Sequence, residues 1–195
     1  MNSKPAKIIG ILSIVAGLVM IVAGLVTWNI VTSQLKDERI TVPSDAAPVM
    51  GIKVAGKPVE GPITAFGQAE IIKHHALTAS EGKTYAELGA EQNKVKAAAK
   101  AKGIDDLTSQ DPAVQEKIAA DPELKQLKQD LAKYTAARNT NMNGAFLRSS
   151  LFSSVITYGV AALVVGLGLM FALIGWALVS LKTAPVATHV AEDRV

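Results

Sequence analysis

The sequence has no cysteine, few aromatic residues and little charge for its 195 residues. Without cysteine the chain cannot form disulfides, use thiol catalysis, hold an iron–sulfur cluster through thiolates, or attach haem or lipid through a cysteine. Charged residues make up 19% of the chain, whereas an ordinary soluble domain has about 25%. Because 49% of the residues are hydrophobic, the composition indicates a membrane protein.

Two segments without any charged residue account for this composition. Ile8–Val31 has 24 residues and Leu151–Leu181 has 31, and each exceeds the roughly 20 residues that a membrane-spanning helix needs. We therefore predict an α-helical membrane protein with two transmembrane helices. Residues 32–150 join them as a mostly helical extracytoplasmic domain with a short β/turn segment, and residues 1–7 and 182–195 are cytoplasmic.

The orientation rests on the residues before the first span. Lys4 and Lys7 precede it, which favours a cytoplasmic N-terminus. The apolar segment is longer than the roughly 7–15 residues of a signal-peptide core, and no small-residue cleavage signal follows Val31. We predict an uncleaved signal anchor in a plasma-membrane protein with both termini in the cytoplasm.

The joining region has two compositional halves. Thr41–Gly61 is rich in proline and glycine, which is typical of turns, and Val49–Val54 could form a short strand. From Pro62 onward the pattern predicts helices. Their start signals are Pro62 itself, a Thr84/Glu87 capping box, and the Asp-Pro pairs at residues 111–112 and 121–122.

The last of these helices carries one narrow apolar seam. Leu124, Leu127, Leu131 and Tyr134 recur at 3-4-3 spacing, which places them on one face. Asn139–Gly144 interrupts this pattern shortly before the second span. The large aliphatic residues and phenylalanine number only 25 among the 119 residues of the joining region, so we expect a small core that is either partly mobile or completed by another protein.

Few side chains are placed where they could catalyse a reaction or bind a metal ion. Glu70 and His74 share a helix face, but His75 points about 100° away, and two ligands do not make a catalytic metal site. His189 is predicted to lie across the membrane. Five carboxylates lie near predicted helix ends, where they suit capping better than acid–base catalysis. They are Glu81, Glu87, Asp105, Asp106 and Asp111. We predict no catalytic, cofactor-binding or metal-binding residues, no cofactor and no small-molecule substrate.

The charges also argue against nucleic acid as a partner. The joining region has 16 basic and 15 acidic residues, so it lacks the single-sign field that nucleic acid requires. The spans contain no aspartate, glutamate, lysine, arginine or histidine, whereas proton and ion paths normally do. The expected partners are the lipid bilayer and larger integral membrane subunits.

Small residues in the spans give the clearest pattern. The six residues IVAGLV at 14–19 recur at 21–26, which aligns Gly10, Gly17 and Gly24 on one face. Glycine and alanine are common in membrane helices, but a strict seven-residue repeat favours close helix packing. The second span has two small-residue faces about 145° apart: Gly159, Ala162 and Gly166 form one, and Gly168, Ala172 and Gly175 form the other.

We assign a role to each face of the second span. The Gly159 face is expected to receive the glycine seam of the first span, and the Gly168 face to receive a partner's helix. Bulky residues at Gly168 or Gly175 should then release the partner, while those at Gly159 or Gly166 should disturb the hairpin.

Five segments resemble a group of actinobacterial membrane proteins with two spans and one external loop: Pro43–Ala46, Gly61–Phe66, Gln68–Ile72, Gly82–Glu87 and Phe146–Phe152. The similarity covers most of the chain, with Lys94–Asp130 as an insertion. Such proteins are often automatically named aromatic ring-opening dioxygenases, which implies a metal held by histidine and carboxylate ligands. The chain has no adequate set of these ligands.

The resemblance implies an accessory subunit of a larger envelope complex, the actinobacterial cytochrome bcc–aa3 respiratory supercomplex being the one expected. The sequence leaves two alternatives open. One is a stand-alone envelope sensor or assembly factor, and the other is a metal-dependent oxygenase.

Overall fold

A computed structural model describes residues 4–181, which form five α-helices. They are α1 (Lys4–Asp37), α2 (Pro62–Ala79), α3 (Tyr85–Ala101), α4 (Pro112–Ala120) and α5 (Pro122–Ser180). By length and composition, α1 and α5 are each apolar enough to cross a membrane. The prediction of an α-helical protein with two long apolar helices is therefore confirmed.

The chain divides into two compact units. The hairpin unit comprises residues 4–34 and 156–181, and the loop unit comprises Leu35–Val155. The hairpin unit packs α1 against α5. The predicted cytoplasmic tail, including His189, lies outside the described residues.

The predicted strand at Val49–Val54 is wrong. Val49 and Ile52 exchange backbone hydrogen bonds of 3.0 and 2.8 Å across a tight turn. Met50 and Gly51 at its centre have φ values of 49° and 79°, as a type I′ turn requires. Thr41 and Pro58 form the other isolated bridge, so the described part of this segment contains bridges and turns but no extended strand.

The predicted helix starts are confirmed. Thr84 caps α3 in a capping box with Glu87, and the Asp111 carboxylate accepts a hydrogen bond of 2.8 Å from the Ala113 N–H. Asp121 does the same for Glu123 at 2.8 Å. These caps satisfy amide groups that the first helical turn leaves without partners.

The loop unit has a continuous core around the predicted leucine seam. Leu124 and Leu131 are buried, and Leu127 and Tyr134 pack against them. Residues from α3, α4 and the connection between them complete the core: Val95, Ala99, Ile104, Leu107 and Ile118.

α5 runs without a break through Asn139–Gly144, where the apolar pattern is interrupted. These small and polar residues lie where α2 packs closely. A methyl group on Gly144 would lie 3.2 Å from the Ala76 Cβ, and the buried Asn141 amide donates hydrogen bonds to Ser80 Oγ and the Lys83 carbonyl. The apolar pattern stops because the packing needs small and hydrogen-bonding residues there.

Candidate functional site

In the hairpin unit, three glycines of α1 lie close to backbone atoms of α5. Gly10, Gly17 and Gly24 are buried on α1. A methyl group on Gly10 would lie 2.7 Å from the Gly175 carbonyl oxygen, and one on Gly24 would lie 2.8 Å from that of Ala161. Gly17 meets the Gly168 carbonyl in the same way. Since real Cβ atoms do not approach oxygen so closely, glycine is what allows this helix separation.

The facing residues step by seven along both helices in opposite directions. Gly175, Gly168 and Ala161 follow one another down α5 as Gly10, Gly17 and Gly24 ascend α1. Ala161 is buried, and the sequence interpretation missed it. The signal was present, because continuing the Gly175–Gly168 spacing by seven residues arrives at Ala161.

The prediction that the Gly159 face of α5 packs against α1 is therefore wrong. Gly168 and Gly175 face α1, with Ala172 beside them, and a methyl group on Gly168 would lie 2.6 Å from the Gly17 carbonyl oxygen. Gly159 and Gly166 have no described atom within 4 Å of an added methyl group, and Ala162 is exposed. The antiparallel register decides this, since the α1 glycines can meet only one series of seven-spaced small residues.

Polar and aromatic contacts flank the glycine seam. Ser13 Oγ donates to the Phe171 carbonyl at 2.9 Å. Towards the other end of the hairpin unit, the Thr32 and Tyr158 hydroxyls are 2.8 Å apart. Tyr158 is 1% exposed and meets the Trp28 ring edge-on, with centroids 4.6 Å apart. These contacts are specific to one pairing of the helices.

In the loop unit, His75 pairs away from Glu70 and His74, which share one groove. His75 Nε2 lies 2.7 Å from Asp45 Oδ2, and this hydrogen bond lowers the pKa of the Asp45 carboxyl below its usual value. Glu70 lies 3.8 Å from the Arg148 guanidinium. His74 and Glu70 instead line an open groove of about 520 Å³ with apolar walls.

This groove runs between α2 and the turn at Met50, whose side chain is 92% exposed. Within residues 4–181, no three histidine, aspartate or glutamate side chains are close enough to hold a metal ion. The groove offers apolar surface together with the carboxylates of Asp45 and Glu70 and the imidazole of His74.

The carboxylates near helix ends have local partners. Hydrogen bonding from the Thr84 backbone N–H and hydroxyl lowers the pKa of Glu87, and the Thr108 hydroxyl and N–H lower the pKa of Asp106. Glu81 pairs with Lys133 at 2.7 Å, which also lowers the pKa of Glu81. Asp105 lies 4.0 Å from Lys100. Together with the Asp111 cap, these carboxylates stabilise helix ends and connections.

A search of protein-family models, curated proteins and solved structures found no match to this chain.

Proposed function

We propose that this chain is a non-catalytic accessory subunit of a larger complex in the plasma membrane. In this proposal α1 and α5 anchor it, residues 32–150 lie outside the cytoplasm, and both termini are cytoplasmic. A helix of a partner subunit packs against α5, and the loop unit covers or bridges the partner's outer surface.

The observation that carries the proposal is the open small-residue face of α5. Gly159 and Gly166 have nothing within 4 Å of an added methyl group, yet they repeat the seven-residue spacing of the glycines that bring α1 and α5 together. Small residues let membrane helices approach closely, whereas contact with fluid lipid does not need them. We therefore infer that this face receives a helix that does not belong to this chain.

The engagement of the polar side chains supports a non-catalytic role. His75 and the carboxylates near helix ends are held in ion pairs and caps, so their charges stabilise local structure. The resemblance of the five sequence segments to actinobacterial two-span proteins supports the cytochrome bcc–aa3 respiratory supercomplex as the complex in question.

Co-migration in mild detergent tests the proposal. An affinity-tagged full-length chain should run with a large complex at fixed stoichiometry, and mass spectrometry of the co-purified proteins should identify cytochrome subunits. If the chain runs as a small species, it is a stand-alone envelope sensor or assembly factor and the proposal is wrong.

A pair of variants sharpens this test. Gly159→Ile combined with Gly166→Ile should remove the chain from the complex while leaving it in the membrane. The matched control is Ala16→Ile, which enlarges an exposed small residue of α1. Equal loss of the complex in both variants, or in neither, would contradict a docking role for the Gly159 face.

Protease accessibility tests the orientation separately. Protease added to spheroplasts should cut between Lys36 and Arg138. Complete protection of that region would overturn the proposed topology.

A further inference from the structure

A small cavity lies in the loop unit directly after the charge-free segment of α1. Its volume is about 270 Å³. Leu35, Ile40, Pro58 and Val59 contribute its apolar walls, and its charged lining residues are Lys36, Arg39 and Glu60. Lys36 is the first charged residue after Lys7, so if α1 spans the membrane this cavity lies at the level of the lipid head groups.

Arg39 occupies a backbone position that normally takes glycine. It follows the last turn of α1 with a φ of 52°, and its N–H donates to the Lys36 carbonyl at 3.0 Å. Glycine or asparagine is usual at such helix ends. Glu81 has a similar φ of 54°, and its carboxylate forms an ion pair with Lys133.

Unlike Glu81, Arg39 has no ion-pair partner among the described residues. Its guanidinium forms no hydrogen bond or ion pair with any residue in the range 4–181. A guanidinium presents several N–H donors suited to phosphate oxygens. An unpaired guanidinium in a cavity at this level of the chain therefore offers a phosphate contact.

The other two charges narrow the choice of ligand. Lys36 Nζ lies 3.5 Å from Glu60 Oε2, so the cavity presents two cations and one carboxylate. Lys36 and Arg39 attract a phosphate group, and Glu60 attracts an ammonium group. The matching ligand carries a phosphate and an ammonium group close together.

We propose that this cavity binds the head group of a zwitterionic aminophospholipid, phosphatidylethanolamine. The lipid phosphate contacts Arg39 and Lys36, and the primary ammonium donates a hydrogen bond to the Glu60 carboxylate. A choline head group has no N–H to donate, and a glycerol head group brings no positive charge. The proposal rests on the membrane placement given under the proposed function and does not depend on any partner subunit.

Native mass spectrometry of the full-length chain in detergent tests this site. Phosphatidylethanolamine, phosphatidylcholine and phosphatidylglycerol with identical acyl chains are added at equal concentrations. We expect wild type to retain phosphatidylethanolamine about threefold more than either competitor, the size expected from the one exposed ammonium–carboxylate contact that the competitors lack.

Two variants and one control assign the charges. Arg39→Gly removes the guanidinium and suits the left-handed backbone, so it should lower the retention of all three lipids without loss of helix content. Glu60→Gln should shift the preference to phosphatidylglycerol, because Lys36 is released and the ammonium acceptor is lost. Lys53→Ala removes a lysine that is exposed in the same unit and does not line the cavity, and it should leave the preference unchanged.

The outcomes separate this inference from the proposed function. Equal retention of the three lipids by wild type, a wild-type preference for phosphatidylglycerol, or an equal loss in Lys53→Ala and Arg39→Gly would each overturn the lipid site. Alkaline carbonate extraction of native membranes is the companion measurement. Release of the chain by carbonate would contradict the membrane placement itself, whereas a carbonate-resistant chain without lipid preference would contradict only the lipid site.

Discussion

The two units pack by opposite means. In the hairpin unit, glycines hold the helices together, and a backbone carbonyl of one helix lies where a side chain of the other would begin. In the loop unit, leucine, valine and isoleucine side chains fill a conventional core. The first arrangement suits lipid, where burying apolar side chains gains little because the solvent is also apolar. The second suits water, where burial is the main driving force.

The largest expected effect is at the centre of the glycine seam. Gly17→Leu forces a side chain against the Gly168 carbonyl and the Ala172 backbone nitrogen, and backbone atoms cannot rotate away as a side chain can. Overpacking costs about 1–3 kcal/mol and occasionally more, and we expect the upper end or beyond. Because Trp28 packs on Tyr158, its fluorescence during thermal unfolding in detergent is the measurement.

Gly166→Leu is the matched control for this prediction. It makes the same change at a position with no described atom within 4 Å, so we expect a shift within about 0.5 kcal/mol. If both variants unfold alike, the glycine contacts do not hold the hairpin.

Core truncation in the loop unit should have the next largest effect. Leu131→Ala opens a cavity in the side-chain core and should lower the free energy of unfolding by about 2–3 kcal/mol, the lower part of the range for such truncations. Leu147→Ala removes the same atoms from an exposed side chain of the same helix and should change it by less than about 1 kcal/mol. Urea unfolding followed by helix circular dichroism measures both, and a similar loss in the two variants would show that Leu131 is not part of a packed core.

The difference between the units also explains what the sequence could predict. Helix starts depend on one or two neighbouring residues, so Thr84, Asp111 and Asp121 were identified from spacing alone. The leucine seam of α5 was found for the same reason. The strand predicted at Val49–Val54 is absent, because β-branched residues favour extended structure locally, while Met50-Gly51 reverses the chain between them.

The glycine faces show a second limit of prediction from the sequence. Spacing on one helix places small residues on a face, but which face meets α1 depends on the antiparallel register of two helices far apart in sequence. Likewise, Asp45 is 30 residues from His75, and no local pattern connects them. Asn141 interrupted an apolar pattern, and only the close approach of α2 gives that interruption its meaning.

A smaller effect is expected at the start of α3. Thr84→Ala removes the hydroxyl that accepts from the Glu87 N–H and should cost about 1 kcal/mol. Thr84→Ser retains the hydroxyl and should remain close to wild type. The midpoint of urea unfolding measures the difference, and equal midpoints for the alanine and serine variants would show that the cap contributes nothing.

The smallest effect is a pH dependence confined to the loop unit. Folding lowers the pKa of Asp45, Glu81, Glu87 and Asp121. Their contribution to stability is therefore complete above the ordinary carboxyl pKa of about 4 and is lost as the pH falls through the lowered folded values. Urea midpoints between pH 6 and pH 2 should decline, and Glu87→Gln should decline less steeply. A flat profile would contradict the carboxylate contacts.

The repeated IVAGLV segment of α1 also makes more than one alignment of α1 with α5 possible. If α1 slid along α5 by one heptad, a displacement of about 10 Å, Gly10 would meet Gly168 and Gly17 would meet Ala161, so most of the close backbone approach would survive. The glycines alone therefore allow more than one register. The Thr32 hydroxyl and the Trp28 ring, which both contact Tyr158, have no equivalent one heptad away, and a slipped hairpin would lose both contacts. Close approach comes from the residues that repeat, and the choice of a single alignment comes from those that do not.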